Sequence, residues 1–140
     1  MKRLIFLTLV GMLVTMQLFA KSYTLASPDK AIAVEVNVAD DITYSVSRNG
    51  NVALRDCHIA METSRGVFGH APKVMSVKKT EHDGVYRPYN HYKAKEVRDA
   101  YSEMAITFKD GWSLEFRAYD NGAAYRIVSS AKGRMTVKSE

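Results

Sequence analysis

Between residues 102 and 129, apolar and polar side chains alternate with a period of two through three successive runs. In the first run Met104, Ile106 and Phe108 alternate with Glu103 and Thr107. In the second, Trp112, Leu114, Phe116 and Ala118 alternate with Ser113, Glu115 and Arg117, and a third run covers 123–129. Successive side chains of a strand point to opposite faces, so each run predicts a strand with one buried face. Lys109-Asp110-Gly111 and Asp120-Asn121-Gly122 separate the runs. A glycine in each supplies the positive φ of a short hairpin, and an antiparallel meander is expected.

The alternation is also present nearer the N-terminus. Ile32, Val34, Val36 and Val38 are interleaved with Ala33, Glu35 and Asn37, and Ile42, Tyr44 and Val46 with Thr43, Ser45 and Ser47. A short run at 23–25 leads into Ser27-Pro28-Asp29-Lys30, a turn with proline at its second position. Asp40-Asp41 turns the chain again, and Asn49-Gly50 favours a type I′ hairpin into 51–54. Residues 58–61 and 74–80 are further candidate strands, and 135–138 read as a strand just begun. The stretch 64–72, punctuated by Gly66, Gly69 and Pro72, reads as a loop. After residue 20 no run of ten shows a 3.6 period, and 93–100 suffices for one helical turn at most. Many short alternating strands with regular turns predict an all-β antiparallel sandwich.

The first twenty residues break this pattern. Lys2 and Arg3 precede an apolar stretch at 4–14, and Leu18-Phe19-Ala20 forms a cleavage site before Lys21. That is the layout of a secretion signal, so 1–20 are expected to be removed and 21–140 exported to the periplasm or beyond, with no membrane span afterwards. The net charge of +5 is mild, and two of the basic residues lie in the leader. With acidic residues interspersed, nucleic-acid binding is not expected. Cys57 is the only cysteine, so burial alone holds the fold.

Candidate chemistry is sparse. His58, His70, His82 and His91 are too scattered for a zinc site. Cys57 and His58 are strand neighbours and point apart, which disfavours a nucleophilic pair. Glu103 and Glu115 could face each other across a hairpin, and glycosidases use two carboxylates, but a solvated polar face is the simpler expectation. No catalytic residue and no metal ligand is assigned. The segment Tyr86-Arg87-Pro88-Tyr89-Asn90-His91-Tyr92 is the most site-like. Its rings suit stacking on sugars, which makes Tyr89, His91 and Tyr92 the candidate substrate-binding residues, although packing against a neighbouring domain is favoured. Trp112 belongs with the core by its alternation. Arg126 is either exposed or paired with a carboxylate.

Tyr101-Ser102-Glu103-Met104, Phe116-Arg117, Asp120-Asn121-Gly122 and Ala124-Tyr125-Arg126, preceded by Lys95-Glu96-Val97-Arg98-Asp99, occur in an order and spacing that narrow the reading. The segment resembles the N-terminal β-domain of family 97 glycoside hydrolases, bacterial α-glucosidases and α-galactosidases. It departs at Ser102, where that family usually has asparagine, and at Ile127, where an aromatic is common. The resemblance implies a galactose-mutarotase-like supersandwich, present here only in its N-terminal part over 21–140. It further implies a catalytic barrel that lies outside this chain, binds the α-glucoside or α-galactoside, and holds the family's calcium; no cofactor is expected in this chain. The domain would be non-catalytic and support that barrel. With later strands missing, Met104, Ile106, Phe108, Trp112, Leu114 and Phe116 are expected to be partly uncovered. A standalone exported carbohydrate-binding or protein-interaction domain, contacting its ligand through Tyr89 and Tyr92, is the alternative. A small complete enzyme is disfavoured by the missing acid/base constellation.

Overall fold

The computed structural model describes residues 20–89 and 94–140. Of the leader predicted over 1–20, only Ala20 is among them. Among the described residues every regular element is a strand: β1 (Lys21–Ala26), β2 (Ile32–Val38), β3 (Ile42–Arg48), β4 (Asn51–Ile59), β5 (Met61–Thr63), β6 (Gly66–Phe68), β7 (Val74–Tyr86), β8 (Val97–Phe108), β9 (Trp112–Tyr119), β10 (Gly122–Ser129) and β11 (Val137–Ser139). One antiparallel sheet runs β1-β2-β3-β4, and a second runs β10-β9-β8-β7. A small third sheet, β11-β5-β6, completes the set.

The two large sheets face each other with their apolar sets inward. In β2 burial alternates strictly, with Val34 and Val36 fully enclosed between exposed Ala33 and Glu35. Met104, Ile106, Phe108, Leu114 and Phe116 are at most 1% exposed. The expectation that they would be partly uncovered is wrong, because β1 and β2 already lie over β8, β9 and β10. Trp112 is half-buried at one end of this core, where its ring lies 5.5 Å from that of Phe68.

Four other expectations need correction. The stretch 64–72 is not all loop: β6 forms within it and buries Phe68. Gly69 follows because the chain passes against β4; a Cβ there would sit 2.4 Å from the Ile59 carbonyl oxygen. The strand expected at 74–80 continues to Tyr86, paired with β8 up to Tyr86 opposite Val97, so Val97–Ala100 is strand rather than helical turn. Finally, Gly122 does not supply a positive φ: Asp120 and Asn121 make the turn, and Gly122 already pairs with Tyr119. By contrast Asn49 and Gly50 have φ of 49° and 80°, the pair of positive values a type I′ turn requires.

The sheets are staggered. Tyr44 of β3 packs against Tyr125 of β10 and Phe116 of β9, so β4 overhangs the edge of the second sheet. Asn51 to Asp56 of β4 are accordingly exposed. On the opposite side β7 overhangs β1 and is exposed along most of its length.

Candidate functional site

The long pairing of β7 with β8 creates an arm. β8 pairs with β9 only from Ser102 onward, so His82–Tyr86 and Val97–Tyr101 extend past the shorter strand as two strands alone. Arg98 braces the arm by donating two hydrogen bonds to the Asp83 carboxylate, at 3.0 and 3.1 Å. These bonds hold the Asp83 carboxyl below its usual range. Toward the tip Arg87 pairs with Glu96 at 2.8 Å. Beyond that point Tyr89 is 96% exposed. Of the three residues proposed to contact a sugar, only Tyr89 can be placed; His91 and Tyr92 lie outside the described residues.

The outer face of the second sheet carries a row of rings that the sequence reading did not single out. His82, Tyr101 and Tyr119, from β7, β8 and β9, lie side by side with centroids 4.9 and 5.2 Å apart. Their register gives them away: His82 opposes Tyr101, and Ser102 opposes Ala118. The Arg117 guanidinium covers the Tyr101 ring at 4.2 Å while its Nε donates to Glu103 at 2.6 Å. That hydrogen bond raises the Arg117 pKa still further. With Tyr101 capped by Arg117, the row is a cross-strand brace more than an open stacking platform.

The carboxylates follow the same logic. Glu103 opposes Arg117, and Glu115 opposes Arg126, each joined by an ion pair on neighbouring strands. The hypothetical Glu103–Glu115 pair does not exist, since Ala105 is the residue opposite Glu115 on β8. Arg126 is exposed and takes a carboxylate partner as well, with Nε 2.5 Å from Glu115. Cys57 is half-buried against β3, opposite Tyr44, while His58 is exposed. Among the described residues no three His, Cys, Asp or Glu side chains come together to hold a metal ion.

Two open spaces flank the sandwich. Under overhanging β4 lies an apolar groove of about 400 Å³ lined by Tyr44, Val46, Leu54, Phe116, Ala123 and Tyr125. Burial pushes the hydroxyls of Tyr44 and Tyr125 up from their ordinary pKa. On the other side, between β1 and β7, a cleft of about 710 Å³ is lined by Lys30, Lys79, Glu81, Thr80 and Ser102 among others.

Residues 25–140 match the family model for the glycosyl hydrolase 97 N-terminal domain. The chain is 37% identical over 142 aligned positions to a retaining alpha-galactosidase of Bacteroides thetaiotaomicron, aligning over 100% of its own length and 21% of that protein's. Its fold matches a glycoside hydrolase family 97 enzyme in complex with acarbose from Pseudoalteromonas sp. strain K8 with a TM-score of 0.72 at 18% identity. That match covers 82% of this chain and 19% of the other. A beta-arabinopyranosidase structure matches with a TM-score of 0.76 at 25% identity, covering 85% and 20%. The chain therefore spans about a fifth of the length of these relatives.

Proposed function

Because the chain belongs to the glycosyl hydrolase 97 N-terminal family, we propose that it is the non-catalytic N-terminal β-sandwich of an exported enzyme that hydrolyses α-galactosides or α-glucosides. The relative that is a retaining alpha-galactosidase favours the first substrate class. The domain's task is mechanical: it packs on a catalytic barrel and holds it in shape. One observation carries the non-catalytic reading. Glycoside hydrolysis needs one carboxyl to give a proton and a second, free carboxylate to attack or to activate water. Here Glu103 and Glu115 are each tied to an arginine on the next strand. Each thereby braces two strands, and Ala105, not Glu103, stands opposite Glu115, so the two carboxylates do not face each other as a pair.

The calcium of the family enzymes belongs in this reading with the barrel, since the described residues do not fit a calcium site. Export through the leader at 1–20 places the enzyme in the periplasm or outside the cell. The test is a chimera in which this chain replaces the matching N-terminal portion of the Bacteroides alpha-galactosidase. A soluble chimera that retains α-galactoside hydrolysis is expected; a folded chimera with none would remove the supporting role.

A further inference from the structure

We infer that the cleft between β1 and β7 is a binding site for a small polyhydroxylated ligand, a single pyranose unit, held by Glu81, Lys79 and Ser102 against the free edge of β1. Such binding goes beyond the supporting role proposed above and does not depend on it. The cleft's volume of about 710 Å³ lies within the roughly 300–1,000 Å³ of small-molecule sites. Its charges are uncommitted. On the strands of the second sheet the other carboxylates each have a basic partner: Asp83 has Arg98, Asp99 has His82, Glu103 has Arg117 and Glu115 has Arg126. Among the described residues Glu81 has none, and Lys79 has no carboxylate partner. Both lie on the inner face of β7, opposite Ser102 and Met104, and both line the cleft.

Ser102 forms the floor. It is 6% exposed and lines the cleft, yet among the described residues its hydroxyl has no protein partner. No side-chain polar atom there is both sealed from solvent and unpaired, so this hydroxyl opens on the cleft with its donor and acceptor sites unused. The edge strand supplies the facing wall. The Ser27 amide donates to the Ile32 carbonyl at 2.8 Å, which turns the backbone groups of Ser27 toward β2. By the alternation of an antiparallel ladder, Thr24 and Ala26 turn theirs the other way, into the cleft, because β1 ends its sheet. The turn at 27–30 closes one end. It is fixed by the Ser27 hydroxyl donating to Asp29 at 2.6 Å and the Asp29 amide donating to Asp120 at 3.0 Å. Its Pro28 ring adds an apolar patch for the C–H face of a sugar. A carboxylate accepts from two adjacent hydroxyls while an ammonium donates to their oxygens, which matches the ring of a pyranose. An anion is opposed by Glu81, and an added β-strand is deterred by the charges that β7 turns inward.

The probe is methyl α-D-galactopyranoside, an uncharged pyranose, titrated into the isotope-labelled chain and followed by amide NMR. Saturable shifts are expected at Thr24, Ala26, Glu81 and Ser102, with a Kd on the order of 1–10 mM from a few hydrogen bonds on an open surface. Glu81→Gln should weaken binding about tenfold and Ser102→Ala about fivefold. Ser102→Ala removes a hydroxyl without a protein partner, so its urea midpoint should stay unchanged, which separates lost binding from lost folding. No saturation by about 100 mM glycoside, or binding undiminished in both variants, would overturn the site. Larger shifts of the same amides with inorganic phosphate would assign the cleft to anions and overturn it too. Shifts that follow protein concentration instead of glycoside would give the β1 edge to a second copy, with the same consequence. The titration does not read hydrolysis, so its failure leaves the supporting function standing, and an inactive chimera leaves the sugar site standing.

Discussion

Phe68 closes one end of the sandwich, with the rings of Phe108 and Trp112 at 5.6 and 5.5 Å from its own. It is 1% exposed, so truncation leaves a cavity that the rigid strand ends around it cannot collapse to fill. Phe68→Ala should cost about 3–5 kcal/mol, read as a lowered urea midpoint with an unchanged slope. Ser27 shows polar burial handled without waste. Its hydroxyl donates to Asp29 at 2.6 Å and accepts from the Ile32 amide at 3.0 Å. Titration adds a residue-scale prediction. Tyr44 and Tyr125 have folded-state pKa values raised above the ordinary 10.0, chiefly by burial. Their neutral forms are favoured on folding, so this contribution is complete below pH 10 and is lost as pH climbs through the raised values. Asp83, lowered by Arg98, works in the opposite sense: its contribution is present above 3.8 and lost as pH falls further. Urea midpoints should thus decline on the alkaline side above pH 10, and Tyr44→Phe should flatten that decline.

At the scale of elements, the strands long enough to alternate and with one face buried were readable, and the others were not. β2, β8 and β9 bury every second residue, so their period survives in the sequence. β6 is three residues long and begins at Gly66, too short for any period; only its partner β5 makes it a strand. β7 beyond Thr80 reads Glu81-His82-Asp83-Gly84, which carries no alternation because both of its faces are wet. Its signal lay instead in pairing, with His82 opposite Tyr101. The candidate site was legible only as an aromatic cluster near the arm tip, since Tyr89 gains its prominence from how far β7 and β8 outrun β9. The arm contributes little to the core, as Tyr86 and Val97 are 57% and 45% exposed. Tyr86→Ser with Val97→Thr should therefore change stability by no more than about 0.5 kcal/mol in denaturant unfolding. A loss above about 2 kcal/mol would mean that the arm folds back onto the sandwich.

For the whole molecule, two four-stranded sheets bury a continuous core without a disulfide. Carboxylates that a hydrolase would deploy are spent here on bracing strands, Glu103 with Arg117 and Glu115 with Arg126. The function proposed above is a separation of labour, in which this sandwich supports and a barrel carries the chemistry. The most direct test is incubation of the purified chain with p-nitrophenyl α-galactoside and α-glucoside, with and without calcium. No release of nitrophenol above the buffer rate is expected under any of these conditions. Turnover that disappears in Glu103→Gln or Glu115→Gln, with the fold retained, would contradict it.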